Sequence, residues 1–184
     1  MKYGANIKYI FIGKTCSGKS YVKNKLEKDY LIAKLHTSRP KRFDSDEEYY
    51  FASKEEIEKN KENFIYLECF NDWYYGISTS ELNRKIFFTT PYGAKRIKEI
   101  HPDSIICYLN VDLATRRERF TKRSGKENYE LALKEFERRI KTEKEQFSNL
   151  SFVDVFIGEE TTIYFTKSKI DVDELSDIIK LIKN

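Results

Sequence analysis

The stretch that decides the fold is Gly13-Lys14-Thr15-Cys16-Ser17-Gly18-Lys19-Ser20, which directly follows the apolar run 7–12. A short, almost continuous apolar run that ends in glycine is typical of a strand buried on both faces of a parallel sheet. Good helix formers follow at 19–28, so the predicted order is strand, glycine-rich loop and helix. The spacing of the two glycines and Lys19-Ser20 is that of a loop whose backbone N–H groups cradle phosphate oxygens.

Each residue type in this loop has a chemical reason. Gly13 and Gly18 let the backbone approach a triphosphate, because a side chain there would block the approach or strain the turn. Lys19 is placed to reach the β- and γ-phosphates, and Ser20 is placed to ligate Mg²⁺ at the positive end of a helix. The motif therefore predicts ATP and Mg²⁺ as cofactors, residues 13–20 as the ATP-binding loop, and phosphoryl transfer as the reaction. We interpret Cys16 as a packing residue.

The composition is that of a globular protein with a densely charged surface. Of 184 residues, 40% are hydrophobic and 35% charged, with a net charge of +4. This charge falls short of that of a dedicated nucleic-acid module, so we expect a small anionic ligand and do not expect nucleic acid as a partner.

Cys16, Cys69 and Cys107 form no even disulfide set and no paired metal spacing, which indicates a reducing compartment. No apolar run of about 18 residues occurs, so we do not expect the protein to enter a membrane. We therefore expect a cytoplasmic protein. We expect it to be a monomer or a homodimer.

Strand-like and helix-like segments alternate along most of the chain. Apolar strand segments are predicted at 30–35, 85–90, 104–109 and 152–157, and helical segments at 91–100, 112–122, 127–147 and 173–183. This alternation predicts an α/β fold with a three-layer parallel sheet in one domain, 1–184. The stretch 37–83 is too rich in local β structure to belong to that sheet, because 64–70 and 73–75 flank the turn pair Asn71-Asp72 as in a hairpin. We interpret it as an inserted subdomain.

Three further motifs, taken with the phosphate loop, give the chain a resemblance to guanylate kinases, a family of P-loop nucleoside monophosphate kinases. They are Thr37-Ser38-Arg39-Pro40-Lys41-Arg42, Glu48-Tyr49-Tyr50-Phe51, and the stretch from Phe64 through Trp73-Tyr74-Tyr75-Gly76. The resemblance runs from the loop to about residue 157. It implies an ATP:nucleoside monophosphate phosphotransferase with a P-loop kinase fold, a subdomain at 37–83 that binds the nucleoside monophosphate, and a helical lid at 116–140.

The resemblance also implies where the acceptor's phosphate binds. It places Arg39, Arg42, Tyr49 and Tyr75 at this phosphate, and two guanidinium forks with two phenols suit a dianion. In the lid, Arg119 and Arg123 lie one helical turn apart and Arg138 and Arg139 follow on the next helix. We choose Arg123 and Arg139, together with Lys19 and Arg39, as catalytic residues. The alternative is that the lid arginines pair with Glu118, Glu135 and Glu137 at the surface.

The positions that recognise guanine in the family differ here. The resemblance aligns Leu35, Tyr66, Ile77 and Thr90 with two hydroxyls and two carboxylates. Guanine presents N1–H and an amine as donors, so losing both carboxylates removes their acceptors. Glu68 takes the place of a lost carboxylate only if the alignment with the family is shifted in register. The predicted pocket therefore favours a different base, a pyrimidine or a modified one.

Two other functions stay open at the level of sequence. The strand end Phe87-Phe88-Thr89-Thr90 lacks the carboxylate that P-loop enzymes commonly place near the metal, which favours a non-catalytic binding module like those of scaffold proteins. Such modules have degraded phosphate loops, whereas Lys19 and Ser20 are present here. The other alternative is a kinase of a different phosphorylated acceptor, such as a sugar phosphate or a nucleic-acid end.

Overall fold

A computed structural model describes residues 7–41, 44, 46–124, 129–158, 163–165 and 172–183. The strands are β1 Tyr9–Gly13, β2 His36–Thr37, β3 Tyr50–Phe51, β4 Phe64–Phe70, β5 Trp73–Ser78, β6 Ile86–Phe88, β7 Ile105–Asn110, β8 Val155–Gly158 and β9 Ile163–Phe165. The helices are α1 Lys19–Leu26, α2 Lys54–Lys59, α3 Pro91–Ile100, α4 Leu113–Ser124, α5 Tyr129–Gln146 and α6 Val172–Lys183.

A five-stranded sheet in the order β6-β1-β7-β8-β9 forms the centre of the fold. The first four strands are parallel and β9 is antiparallel, so the predicted parallel sheet carries one antiparallel edge strand. All five residues of β1 are buried. A strand covered on both faces must be apolar throughout, which explains the uninterrupted run before Gly13.

Helices cover both faces of this sheet and give the three predicted layers. On one face Phe11 and Cys107 pack with Val22 and Leu26 of α1 and with Ile178 of α6. On the other face Ile10 and Ile106 pack with Ala94 and Ile97 of α3 and with Tyr66 and Ile77 of the hairpin. The inserted segment is thus joined to the core through shared apolar packing.

A second sheet, in the order β3-β2-β5-β4, forms the inserted subdomain. The predicted hairpin is present as β4 and β5, and Asn71 and Asp72 between them have φ angles of 50° and 63°. Two successive positive φ angles define the tight turn that antiparallel strands favour, and Asn and Asp tolerate them. Ser53 and Glu56 form a capping box at the start of α2.

The prediction of a strand at 30–35 is wrong in extent. Only Ile32 forms a β-bridge, to Ile86, and the Ala33 N–H donates to the Ile86 carbonyl at 2.8 Å. The regular strand begins at His36 and pairs with β5 instead. The apolar composition of the run reads as a strand, but only Ala33 is buried and Leu31 is exposed, and the chain leaves the edge of β6 after one bridge to enter the second sheet.

Helices α4 and α5 form the region predicted as a lid. Phe120, Ala132 and Phe136 make a small core between them, and Cys16 of the phosphate loop packs against it. Residues 125–128, between α4 and α5, lie outside the described residues. Across the part of the chain that the structure describes, no helix combines the length and the apolar character needed to cross a membrane.

Candidate active site

The phosphate loop turns sharply between β1 and α1. Cys16 and Gly18 have φ angles of 59° and 95°, and the Ser17 N–H donates to the Lys14 carbonyl at 3.1 Å. A Cβ on Gly13 would lie 2.3 Å from Ser17 Oγ and 3.2 Å from Leu109 Cβ, so a side chain there would force Ser17 to move. Helix α1 begins with no side-chain cap at Gly18 and no acidic residue in its first turn. Its first N–H groups are therefore left for an anion.

Lys19 lies folded over this loop. Its Nζ donates to the carbonyl oxygens of Gly13 and of Lys14, the latter at 3.0 Å. Burial lowers the pKa of Lys19 to about 8, and the charges of Glu143, Cys16 and Glu48 act in the opposite direction. Lys19 is thus a partly desolvated ammonium held at the mouth of the loop, where a phosphate would replace its contacts to carbonyl oxygens.

A cavity of about 380 Å³ extends from the phosphate loop to the inserted subdomain. Gly13, Thr15, Lys19 and Ser20 line its core side. Tyr49 and Tyr75 line its far side, with their ring centroids 6.1 Å apart and their planes at 70°. The cavity therefore joins the predicted ATP loop to two of the four residues predicted at the acceptor's phosphate.

The predicted arginines of the acceptor site differ in their placement. Arg39 is buried, pairs with Asp46 at 3.0 Å, and lies 5.4 Å from the ring centroids of Tyr49 and Phe51. It lines a second, adjoining cavity of about 640 Å³ together with Lys41. Its guanidinium therefore packs against the ring of Tyr49, which lines the first cavity. Arg42 lies outside the described residues.

Three of the four residues predicted in the base pocket line the first cavity: Leu35, Tyr66 and Thr90. Ile77 instead has no exposed surface and packs in the core. The hydroxyl of Tyr66 shares a hydrogen bond with Thr89 Oγ1, and burial raises the pKa of Tyr66. Tyr66 therefore lines the pocket with its ring, while its hydroxyl is engaged by Thr89.

Thr90 is hydrogen-bonded to the carboxylate of Glu68, a residue that does not itself line the cavity. The Thr90 hydroxyl accepts from the Gly93 N–H at 3.1 Å and donates to Glu68 Oε2. Since a hydroxyl has one proton, these two contacts fix its direction. Burial raises the pKa of Glu68, although the hydrogen bond from Thr90 opposes that change. Glu68 is two residues from Tyr66 on β4, so the two side chains point to the same side of the strand.

The lid arginines divide between the cavity and the surface. Arg138 and Arg139 line the first cavity, and both are bound by Glu135, at 2.7 and 2.8 Å. These two ion pairs lower the pKa of Glu135 to about 2. Arg138 also donates to Asn71 Oδ1 at 3.2 Å, which joins α5 to the hairpin turn. Arg123 lies 5.7 Å from the ring centroid of Phe120 and is not among the residues described as lining this cavity.

Sequence reasoning missed a buried ion pair beside the phosphate loop. Arg116 of α4 and Glu143 of α5 are joined at 2.9 Å, and both contact the backbone of Thr15. A signal was present, because each residue falls on the apolar stripe of its helix. Arg116 is four residues before Phe120, and Glu143 is spaced seven after Phe136 and four before Phe147.

The phosphate loop has the features expected of an ATP site. Ser17 Oγ is buried without a hydrogen-bond partner among the described residues, and Ser20 is exposed to the cavity. No group of three or more His, Cys, Asp or Glu side chains suited to a metal occurs within the described ranges. Such a site fits Mg²⁺ carried by nucleotide phosphates with Ser20 Oγ as a protein ligand, because Mg²⁺ keeps several waters.

Sheet order, phosphate loop and inserted subdomain together define a P-loop kinase fold. The sequence model of the guanylate kinase family matches residues 6–162, most of the chain. The chain belongs to the guanylate kinase family. The crystal structure of guanylate kinase from Anaplasma phagocytophilum is similar with a TM-score of 0.61 and 18% identity, over 97% of this chain and 85% of that one. At this identity the likeness concerns the fold alone. A search of curated proteins finds no match.

Proposed function

We propose that this protein is an ATP-dependent nucleoside monophosphate kinase whose base specificity differs from that of guanylate kinases. The observation that carries the proposal is one continuous cavity lined by Lys19 and Ser20 at one end and by Tyr49 and Tyr75 at the other. Phosphoryl transfer needs charge neutralisation and alignment more than covalent chemistry from the protein. Two phosphate-binding ends in one cavity supply that alignment.

In this proposal the loop 13–20 holds ATP, and Mg²⁺ bound to Ser20 neutralises phosphate charge. Lys19 exchanges its carbonyl partners for the β- and γ-phosphates. Arg139 and Arg138 reach the transferred group from α5, which requires that they leave Glu135. Surface ion pairs of this kind contribute only about 0–1 kcal/mol, so release from Glu135 costs little. Arg123 remains a proposed catalytic residue that must approach from α4.

The acceptor's phosphate binds at Tyr49 and Tyr75, with Arg42 as a further proposed ligand. Arg39 serves this site by fixing Tyr49 through its contacts to the ring and to Asp46. Since this ion pair is buried, removing either partner would leave an uncompensated charge and cost about 3–5 kcal/mol. Arg39→Ala therefore tests the fold as well as acceptor binding, and Tyr49→Phe is the cleaner probe of the phosphate site.

The family's guanine site has two carboxylates, whereas here Thr90 of the predicted base pocket is hydrogen-bonded to one neighbouring carboxylate, that of Glu68. Thr90 donates to Glu68, and no described residue donates a hydrogen bond to Glu68 Oε1. An acceptor-rich edge of this kind suits a base with one exocyclic amine, such as cytosine or adenine. Tyr66 and Thr90 stand where the family has its two carboxylates, and each guanine donor left unpaired there would cost about 1–3 kcal/mol, so GMP should be disfavoured by roughly 10- to 100-fold.

The deciding measurement is kcat/KM for ADP release from ATP across all ribo- and deoxynucleoside monophosphates. We expect an amine-bearing base other than guanine to be preferred. Glu68→Gln should reduce the preference, because an amide presents a donor as well as an acceptor, and Tyr66→Glu combined with Thr90→Asp should gain GMP activity. Glu62→Gln, on an exposed turn, is the matched control for the glutamate change.

The outcomes separate the two parts of the proposal. GMP as the best acceptor of the wild type would reject the altered base specificity and leave the kinase assignment standing. No turnover of any monophosphate at millimolar concentration, despite ATP binding, would favour the non-catalytic module instead.

A second candidate is a kinase of a larger phosphorylated acceptor, such as a nucleic-acid end. The second cavity favours it, since Arg39, Lys41, Arg138 and Arg139 line it beside Trp73, and it shares Tyr75 with the first. Cations next to the half-buried indole of Trp73 suit a further phosphate and base. Turnover of a 5′-phosphorylated oligonucleotide but of no mononucleotide would select this candidate.

A further inference from the structure

The phosphate loop is bound by an ion pair between two helices, and Glu143 of this pair also lines the first cavity. Glu143 of α5 accepts the N–H of Thr15, and Arg116 of α4 donates to the carbonyl of the same residue at 3.3 Å. The two side chains are joined at 2.9 Å and are 7% and 4% exposed. Both main-chain polar groups of one loop residue are therefore bound by the two halves of one buried pair.

The surroundings of the pair are apolar, which makes its polar contacts consequential. The guanidinium of Arg116 lies 6.0 Å from the ring centroid of Phe136, and Cys16 packs against the same small core. Arg119 adds a further contact from α4, to the Cys16 carbonyl at 3.3 Å. In such an environment a hydrogen bond to a charged group is stronger than in water, and a lost one is costly.

The pair brings both charges to the loop at once. A lone carboxylate at Thr15 would repel the phosphates of a nucleotide, whereas the guanidinium of Arg116 at contact distance opposes the charge of Glu143. The pair can thus set the direction of the Thr15 peptide groups without adding net charge to the anion site. The next loop residue, Cys16, already has a positive φ, so the direction of the preceding peptide decides where the following N–H groups point.

We propose that Arg116 and Glu143 are positioning residues that fix the phosphate loop at Thr15 in the shape that binds ATP. The pair thereby couples α4 and α5 to the nucleotide site. This inference rests on the proposed function in one respect, since it takes ATP as the ligand of the loop. Neither side chain is assigned a contact with the nucleotide.

Two double variants test the proposal while keeping the net charge of the chain. Arg116→Leu with Glu143→Leu removes both charges, and an apolar pair of this kind usually preserves stability. Arg116→Glu with Glu143→Arg keeps an ion pair between the helices but turns it, so that the carboxylate faces the Thr15 carbonyl. In both variants we expect the Kd for ATP with Mg²⁺, by titration calorimetry, to rise about 10- to 100-fold. The melting temperature of the leucine variant should stay within a few degrees of the wild type.

The chain contains a matched control. Asp154 pairs with Lys98 and accepts the Ile106 N–H at 2.9 Å, so it has the same arrangement of ion pair and main-chain contact away from the loop. Lys98→Met with Asp154→Asn should lower stability and leave the Kd for ATP unchanged. An ATP affinity that fell equally in this control would assign the effect to stability and overturn the proposal.

Other results would also overturn it. Wild-type affinity in the leucine variant would show that the pair does not shape the site, and tighter binding would show that Glu143 competes with the phosphates. If both double variants fail to fold, amide hydrogen exchange of the wild type decides: a Thr15 N–H that exchanges as fast as an exposed loop amide contradicts the contact. ATP binding without kinase turnover would reject the proposed function and leave this inference intact.

Discussion

At the scale of single residues, Lys19 shows burial acting against the charge that phosphate binding requires. Desolvation favours the neutral amine, while Glu143 and Glu48 favour the ammonium. A triphosphate would add negative charge at the same place and so favour the protonated form. The two carbonyl oxygens that bind Nζ hold the side chain over the loop until then.

Lys19→Ala should reduce turnover by at least about 100-fold, because it removes a preorganised cation from the site of developing charge. The fold should persist, since the glycines that shape the loop remain. Turnover and circular dichroism on the same sample measure both. Lys25→Ala, on the same helix but outside the cavity, is the matched control and should retain activity. Near wild-type turnover in Lys19→Ala would remove the loop from the mechanism.

At the scale of elements, the start of α3 is shaped to fit the hairpin. A Cβ on Gly93 would lie 2.5 Å from Tyr66 Cζ and 2.2 Å from Thr89 Oγ1. Glycine in a helix normally costs about 1 kcal/mol relative to alanine, so its presence in α3 is explained by this close contact with β4. The same contact sets the position of the Tyr66 ring in the predicted base pocket.

Gly93→Ala should therefore lower the free energy of unfolding, despite the better helix propensity of alanine. Overpacking costs about 1–3 kcal/mol and exceeds the gain of about 1 kcal/mol. Urea denaturation measures the change, and the acceptor KM should rise while the Kd for ATP stays constant. Arg96→Ala, exposed on the same helix, should change stability by less than about 0.5 kcal/mol. A stabilised Gly93→Ala variant would contradict the predicted contact.

At the scale of the whole molecule, one cavity is built from three parts of the chain. The central sheet contributes Gly13, the inserted subdomain contributes Tyr75, and α5 contributes Arg139. A nucleotide that contacts all three would bind only the folded chain. Its binding free energy then adds to the stability of the fold.

ATP with Mg²⁺ at 100 times its Kd should stabilise the fold by about 2.7 kcal/mol. For a chain of this size that corresponds to a rise in Tm of roughly 5–10 °C. Differential scanning calorimetry measures it, with adenosine at equal concentration as the control that lacks phosphates. Lys19→Ala should show a smaller rise. An equal rise with adenosine would place the stabilising contacts on the nucleoside and not on the phosphate loop.

Much of the fold follows from local pattern. Strand β1 is apolar because it is covered on both faces, Pro91 and Thr90 define the start of α3, and Asn71-Asp72 define the hairpin turn. Each of these signals depends on residues close in the chain, where steric and hydrogen-bonding preferences act directly. The run at 30–35 misled because its apolar composition resembles that of a strand, although Leu31 is exposed and only Ile32 forms a bridge to β6.

The sequence alone was enough to identify the phosphate loop and the family, because Gly13 to Ser20 carry their chemistry in contiguous residues. Only the tertiary structure decided that Glu68 reaches Thr90, that Arg39 is held by Asp46, and that Arg116 and Glu143 hold Thr15. These contacts join side chains from separate elements. Which side chains meet depends on how the helices and strands pack in three dimensions, and the spacing of residues along the chain does not encode it.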